Sequence, residues 1–173
     1  MNQENIHVEL TNGEINVNEV VKRCTHPSSG GMCVYIGTTR DFYEDENGIK
    51  DVVTLSYEAE EELALIEMNN ICEEAIAKFR GVRASIVHRL GEVGVEGISI
   101  VCVLSTQHRK EAFEGCQFMM FDLKKRVPIW KREIYTSGQS VWKENSENFD
   151  SNNYVASKLN EENNVPEKVN LMS

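Results

Sequence analysis

Residues 98–104 read Ile-Ser-Ile-Val-Cys-Val-Leu, the longest apolar-leaning run in the chain. The run is far shorter than the roughly 20 residues a membrane-spanning helix needs. Its β-branched residues and length mark it instead as a buried strand. Two amphipathic helices stand ready to cover it. Leu65, Met68, Cys72, Ile76 and Phe79 recur at helical spacing, and so do Phe113, Cys116, Met120 and Leu123. Gly81 suits the position just past the first of these helices, and Val127-Pro128 stops the second. Strands are expected over 6–10, 32–37, 51–59, 84–90 and 129–135, with Val53, Leu55 and Tyr57 sharing one face. Asn18 is a candidate cap for a short helix over 20–24. Residues 38–50 and 91–97 read as connections, the second joining an antiparallel pair. The order β, short α, β, β, α, β, β, α, β predicts an α+β or two-layer sandwich.

The chain has 173 residues, enough for one ordinary domain. Its last part differs in composition. Residues 144–173 hold eight Asn, six acids, two bases and few large apolar residues, so a disordered tail is expected there and the domain is placed at 1–143. The first ten residues carry no basic and apolar leader, so a cytoplasmic protein is expected. The five cysteines are scattered and form no CxxC pair, which points to reduced, mostly buried thiols and to no metal site.

Charge narrows the partners. The formal net charge is -10, which disfavours duplex nucleic acid and anionic membranes. Within this acidic chain, residues 108–132 carry seven bases against three acids. Such an island suits a small anionic ligand, although a solvated helix face has the same composition. No phosphate loop, dinucleotide fingerprint, nucleophile elbow or HExxH motif is present. His108 and Arg109 open the second long helix, where unpaired N–H groups favour an anion. Lys124 stands near its end, and Lys131 lies beyond Pro128, where the chain turns into a strand, so the two lysines can face one pocket. His108 and Lys124 are sixteen residues apart, roughly 24 Å along one helix at 1.5 Å per residue. A small ligand cannot span that in one protomer. Either two patches exist, or a homodimer shares its sites.

Five ordered blocks carry a family resemblance: GMCVYIGTTRDF (31–42), LSYEA (55–59), VHRLGEVGVEG (87–97), STQHRKEAF (105–113) and DLKKRVPIWKREIYTSG (122–138). Together they resemble the large, catalytic subunit of molybdopterin synthase. The resemblance covers residues 6–143 and implies an α/β hammerhead-type fold with an additional antiparallel β subdomain. It implies a sulfurtransferase of molybdenum cofactor biosynthesis, which converts a cyclic pyranopterin monophosphate into the dithiolene of molybdopterin. The sulfur comes from the C-terminal thiocarboxylate of a small ubiquitin-like subunit, in a heterotetramer built on a dimer of large subunits. No cofactor is expected. By motif, Lys131 and Lys124 fall on the family's active-site lysines, His108 and Arg109 on its HR pair, and Arg40 on the arginine that closes the GTTR segment. Thr38, Thr39, Arg132 and Glu133 flank these and are expected to line the pocket. Glu60 departs from the YEAY that the family often has.

The chemistry suits these residue types. A phosphate and an anionic tail need several cations, with Arg for bidentate binding and Lys for charge and proton transfer. A lysine crowded by other cations has a lowered pKa and suits a general acid–base role, and Lys131 is assigned as general acid–base or tail-anchoring group. Lys124 is assigned to electrostatics. The alternative is a non-catalytic anion-binding or scaffold domain. His88 reads as a core or sheet-face histidine.

Overall fold

A computed structural model describes residues 3–45 and 48–143; the tail expected over 144–173 lies outside the described residues. After a single 3-10 turn at Gln3–Asn5, the elements are β1 (Ile6–Thr11), α1 (Val17–Arg23), β2 (Gly31–Thr38), β3 (Phe42–Asp45), β4 (Gly48–Ala59), α2 (Glu61–Phe79), β5 (Gly81–Arg89), β6 (Gly91–Gly94), β7 (Ile98–Thr106), α3 (Arg109–Arg126), β8 (Ile129–Tyr135) and β9 (Ser140–Lys143).

The apolar run at 98–104 becomes β7, an inner strand of a four-stranded sheet ordered β1-β5-β7-β2. Its residues alternate between two cores. Ile100, Cys102 and Leu104 pack under α2 and α3 with Met68, Ile71, Cys72, Cys116 and Met119. Val101 and Val103 turn to the other face and meet Ile15, Val20 and Cys24 around α1. Burial on both faces is why the run has no polar alternation. The pair β5–β7 is antiparallel across the short connection, as the sequence predicts, while β1 joins β5 in parallel.

A second, antiparallel sheet is ordered β3-β4-β8-β9, with β6 also pairing β4. It has its own small core of Val52, Leu55 and Tyr135. The architecture is therefore α+β with an additional antiparallel sheet, and α1 adds a partial layer on the outer face of the first sheet.

Several local expectations are corrected. The α1 helix starts at Val17 with Asn16 as cap, its side chain accepting from the Glu19 N–H at 3.4 Å, so Asn18 lies inside the helix. The left-handed residue after α2 is Arg80 (φ 51°), and Gly81 already belongs to β5. The β4–β8 register shifts between Val52 and Thr54, so Val52 takes the buried side and Val53 is exposed. The supposed connections at 38–50 and 91–97 contain β3 and β6. No helix among the described residues is long and apolar enough to cross a membrane.

Candidate active site

The two sheets meet along a seam, and a cavity of about 210 Å³ opens there. Both sheets and α3 line it. The end of β2 and the following loop supply Thr38 and Arg40; β3 supplies Phe42; β4 supplies Leu55 and Tyr57; β5 supplies His88; β7 supplies Ser99 and Ile100; the last turns of α3 supply Met120 and Lys124; β8 supplies Lys131 and Glu133. Lys124 reaches the seam because Met120, Leu123, Lys124 and Val127 follow one another at helical spacing on one face of α3. Lys131 and Glu133 reach it because alternate residues of β8 share a face. Pro128, between α3 and β8, lets the chain turn so that both lysines converge, as the spacing in the sequence predicts.

The electrostatics are lopsided. Arg40, Lys124 and Lys131 face a single carboxylate, Glu133, which is only 4% exposed. That carboxylate is held from three sides. The Tyr135 hydroxyl donates to its Oε2 at 2.7 Å, Lys131 Nζ lies 3.8 Å from Oε1, and Lys143 Nζ lies 3.9 Å from Oε2. Lys143 in turn sits over the Tyr43 ring, 3.7 Å from its centroid. Lys131 is thus placed against a buried carboxylate, and not against cations alone. Arg40 lies over the Phe42 ring at 5.5 Å, which fixes its plane at the mouth.

The basic island divides by function. Arg126 bridges Glu67, Glu74 and Asp122 at 2.8 to 3.0 Å, which clamps α3 to α2 and holds its guanidinium well above the ordinary range. Lys110 pairs with Glu114 along the helix. Arg132 points away from the cavity and stacks over Trp142 at 5.3 Å. Thr39 is buried beside the cavity, where its N–H donates to Gly97 and its hydroxyl to Val93. His108 and Arg109 are exposed at the far end of α3. Of the site residues expected from the sequence, the fold brings together Thr38, Arg40, Lys124, Lys131 and Glu133. It leaves Thr39, His108, Arg109 and Arg132 outside the cavity of this chain.

Sequence reasoning missed Tyr57 and His88. Both line the cavity, with ring centroids 5.0 Å apart at an interplanar angle of 73°. Burial raises the Tyr57 phenol, which shares a hydrogen bond with the Ser99 hydroxyl. Burial holds the His88 imidazole down to about 4. The position of His88 on the face of Ile86 was readable; that this face opens onto a cavity was not. No cysteine lines this cavity. All five are free thiols, and burial pushes Cys24 and Cys33 up to about 12.

A second, apolar groove of about 330 Å³ adjoins the cavity and shares Tyr35, Met120 and Lys124 with it. Cys33, Val34, Phe113, Cys116, Gln117 and Phe121 line the rest.

A family model described as MoaE protein matches residues 10–126. A protein of Culex quinquefasciatus named molybdopterin synthase catalytic subunit is 42% identical over 144 residues, covering 82% of this chain and 89% of its own length. Among solved structures, a molybdopterin synthase from Staphylococcus aureus superposes with a TM-score of 0.70 at 27% identity, covering 83% of this chain and 98% of that one. A complex of subunits 1 and 2 of the molybdopterin-converting factor from Helicobacter pylori gives 0.64 at 22% identity, covering 80% and 91%, and shares the fold.

Proposed function

The chain belongs to the MoaE family, whose curated relatives are named molybdopterin synthase catalytic subunits, and on that premise we propose how its cavity works. The protein is the catalytic subunit of a molybdopterin synthase and acts in molybdenum cofactor biosynthesis. Its reaction is sulfur transfer. The thiocarboxylate sulfur at the C-terminus of a small ubiquitin-like subunit attacks a carbon of cyclic pyranopterin monophosphate and an oxygen group departs; water then cleaves the resulting thioester, so that the sulfur stays on the pterin and the carrier leaves as a carboxylate.

The observation that carries this reading is the convergence of Arg40, Lys124 and Lys131 on one cavity at the seam. Substrate phosphate and carrier tail are both anionic, so bringing them together needs at least this much positive charge in a partly dry site. Lys131, held by Glu133, is the proton donor to the departing oxygen. Lys124 and Arg40 neutralise phosphate or tail.

His108 and Arg109 enter the site from a second copy of the chain. They lie roughly 24 Å from Lys124 along α3, too far to share a small ligand with it. The strand β2 lies at one end of its sheet and exposes Val34, Tyr35 and Ile36, with Phe113 on α3 64% exposed. This apolar surface suits a homodimer, and the assembly with the small subunit is then a heterotetramer.

Reconstitution tests the reading. The protein is mixed with a thiocarboxylated small subunit and cyclic pyranopterin monophosphate, and molybdopterin is assayed. Product forms with the wild-type chain, while Lys131→Ala lowers turnover by about 10²-fold or more with the fold intact. Near-normal turnover by that variant rules out the assigned role. Absence of product with a verified partner points to a non-catalytic scaffold.

A further inference from the structure

The cavity has a second chemical character that the cations do not explain. Beside Lys131, in the β4–β8 ladder, stands Tyr57, and against the edge of Tyr57 stands His88. Neither carries charge at neutral pH, and Ser99 completes this neutral part of the lining. His88 is only 5% exposed, and its two ring nitrogens are not equivalent. Nδ1 lies 2.9 Å from the Arg89 carbonyl oxygen. A carbonyl can only accept, so Nδ1 carries the proton and Nε2 is left with a lone pair. No group among the described residues pairs with Nε2, yet it is not one of the buried polar atoms sealed without a partner. Its opening is the cavity that His88 lines.

Resting on the synthase reading above, we infer that His88, Tyr57 and Ser99 form a neutral subsite for a planar heterocycle bearing N–H donors, with His88 Nε2 as the acceptor. An anionic group is disfavoured against Nε2, because there it would meet a lone pair. A ring carrying amide or amino N–H groups satisfies Nε2 and stacks against aromatic edges. The cavity then divides its ligand: cations hold the phosphate and the carrier tail, while the neutral end selects the ring. A nearly buried acceptor also rejects rings lacking the donor, since its lone pair would lose its partner.

The test uses pterin itself, without side chain or phosphate, followed by its fluorescence on titration with the full-length protein. Wild-type protein and H88Q, which keeps an acceptor near the Nε2 position, bind it. H88F keeps a ring against Tyr57 but no acceptor, and binds about tenfold more weakly. Nitrogen-15 spectra of wild-type histidines give a reading that needs no variant: the His88 Nε2 resonance moves on adding pterin and stays in place with inorganic phosphate. No pterin binding, equal binding by folded H88F, or an unmoved Nε2 resonance in the pterin-saturated protein overturns the subsite. If the subsite alone is wrong, the reconstituted wild-type enzyme still makes product. If the synthase reading is wrong, it makes none.

Discussion

Glu133 shows how one residue sets the chemistry of its neighbour. It is buried, yet it meets a hydroxyl and two ammonium groups, so its charge is compensated. Glu133→Gln keeps the shape and removes the charge, leaving Lys131 and Lys143 facing each other without an anion. Turnover is expected to fall by roughly 10-fold or more, and stability by about 1–2 kcal/mol, less than for a fully buried pair because both lysines reach solvent. Reconstituted turnover and a denaturant midpoint check both. His88 yields a pH prediction. Its folded-state pKa of about 4 lies below the ordinary 6.5, so protonation favours the unfolded chain. Above pH 6.5 the stabilisation is whole; as pH falls from 6.5 to 4 the unfolded chain takes up a proton that the folded one does not, and about 3 kcal/mol is lost. His7, also lowered by burial, adds a slope of the same sign. Denaturant midpoints from pH 7.5 to 4.5 are expected to fall more steeply for wild type than for His88→Gln, and parallel curves exclude the effect. Lys124, Lys131 and Arg40 could be read from the sequence because motif and charge mark them. Tyr57 and His88 could not, because strand alternation tells which face a residue takes and not whether that face is sealed or opens on a cavity.

At the scale of elements, the long pieces were readable and the short ones were not. The β7 run and the two helical stripes carry enough apolar periodicity to outweigh local noise. The strands β3, β6 and β9 have four residues each and exist because β4 or β8 offers them a partner, which local sequence does not reveal. The β4 bulge was invisible for the same reason: it is set by the register against β8. Gly30, just before β2, and Gly31, its first residue, show a packing constraint that local sequence does not reveal: both are pressed against the start of α3. A Cβ on Gly30 would lie 2.3 Å from the Gln107 carbonyl oxygen, and one on Gly31 would lie 3.1 Å from the Arg109 backbone. Gly30→Ala therefore has to move the backbone just before His108 and Arg109. A stability loss of about 1–3 kcal/mol is expected, together with a fall in turnover larger than a stability loss of that size explains at 25 °C. A thermal melt read beside the reconstituted assay separates the two, and an unchanged melting point contradicts the packing argument.

At the scale of the molecule, the question is why a helix should carry residues proposed to bind anions at both ends. The α3 helix ends in Lys124, Lys125 and Arg126, which complement the negative pole of its dipole, and begins with His108 and Arg109 at the positive pole. Within one chain these ends cannot serve one ligand. The sequence spacing alone left two separate patches or a shared dimer site open. We propose sharing, because exposed apolar residues of β2 and Phe113 of α3 line the groove that reaches Lys124. A dimer of this kind makes a quantitative prediction. Lys131→Ala and Arg109→Ala each inactivate every site in a pure dimer. When the two variants are refolded together, about half of the dimers are mixed, and each mixed dimer has one site free of both changes and one site carrying both. Activity near a quarter of wild type is then expected from two inactive parents. If all active residues came from one chain, every site would carry one lesion and mixing would restore nothing. The complementation assay thus decides whether the positive charge that stands out in this acidic sequence is one site or two.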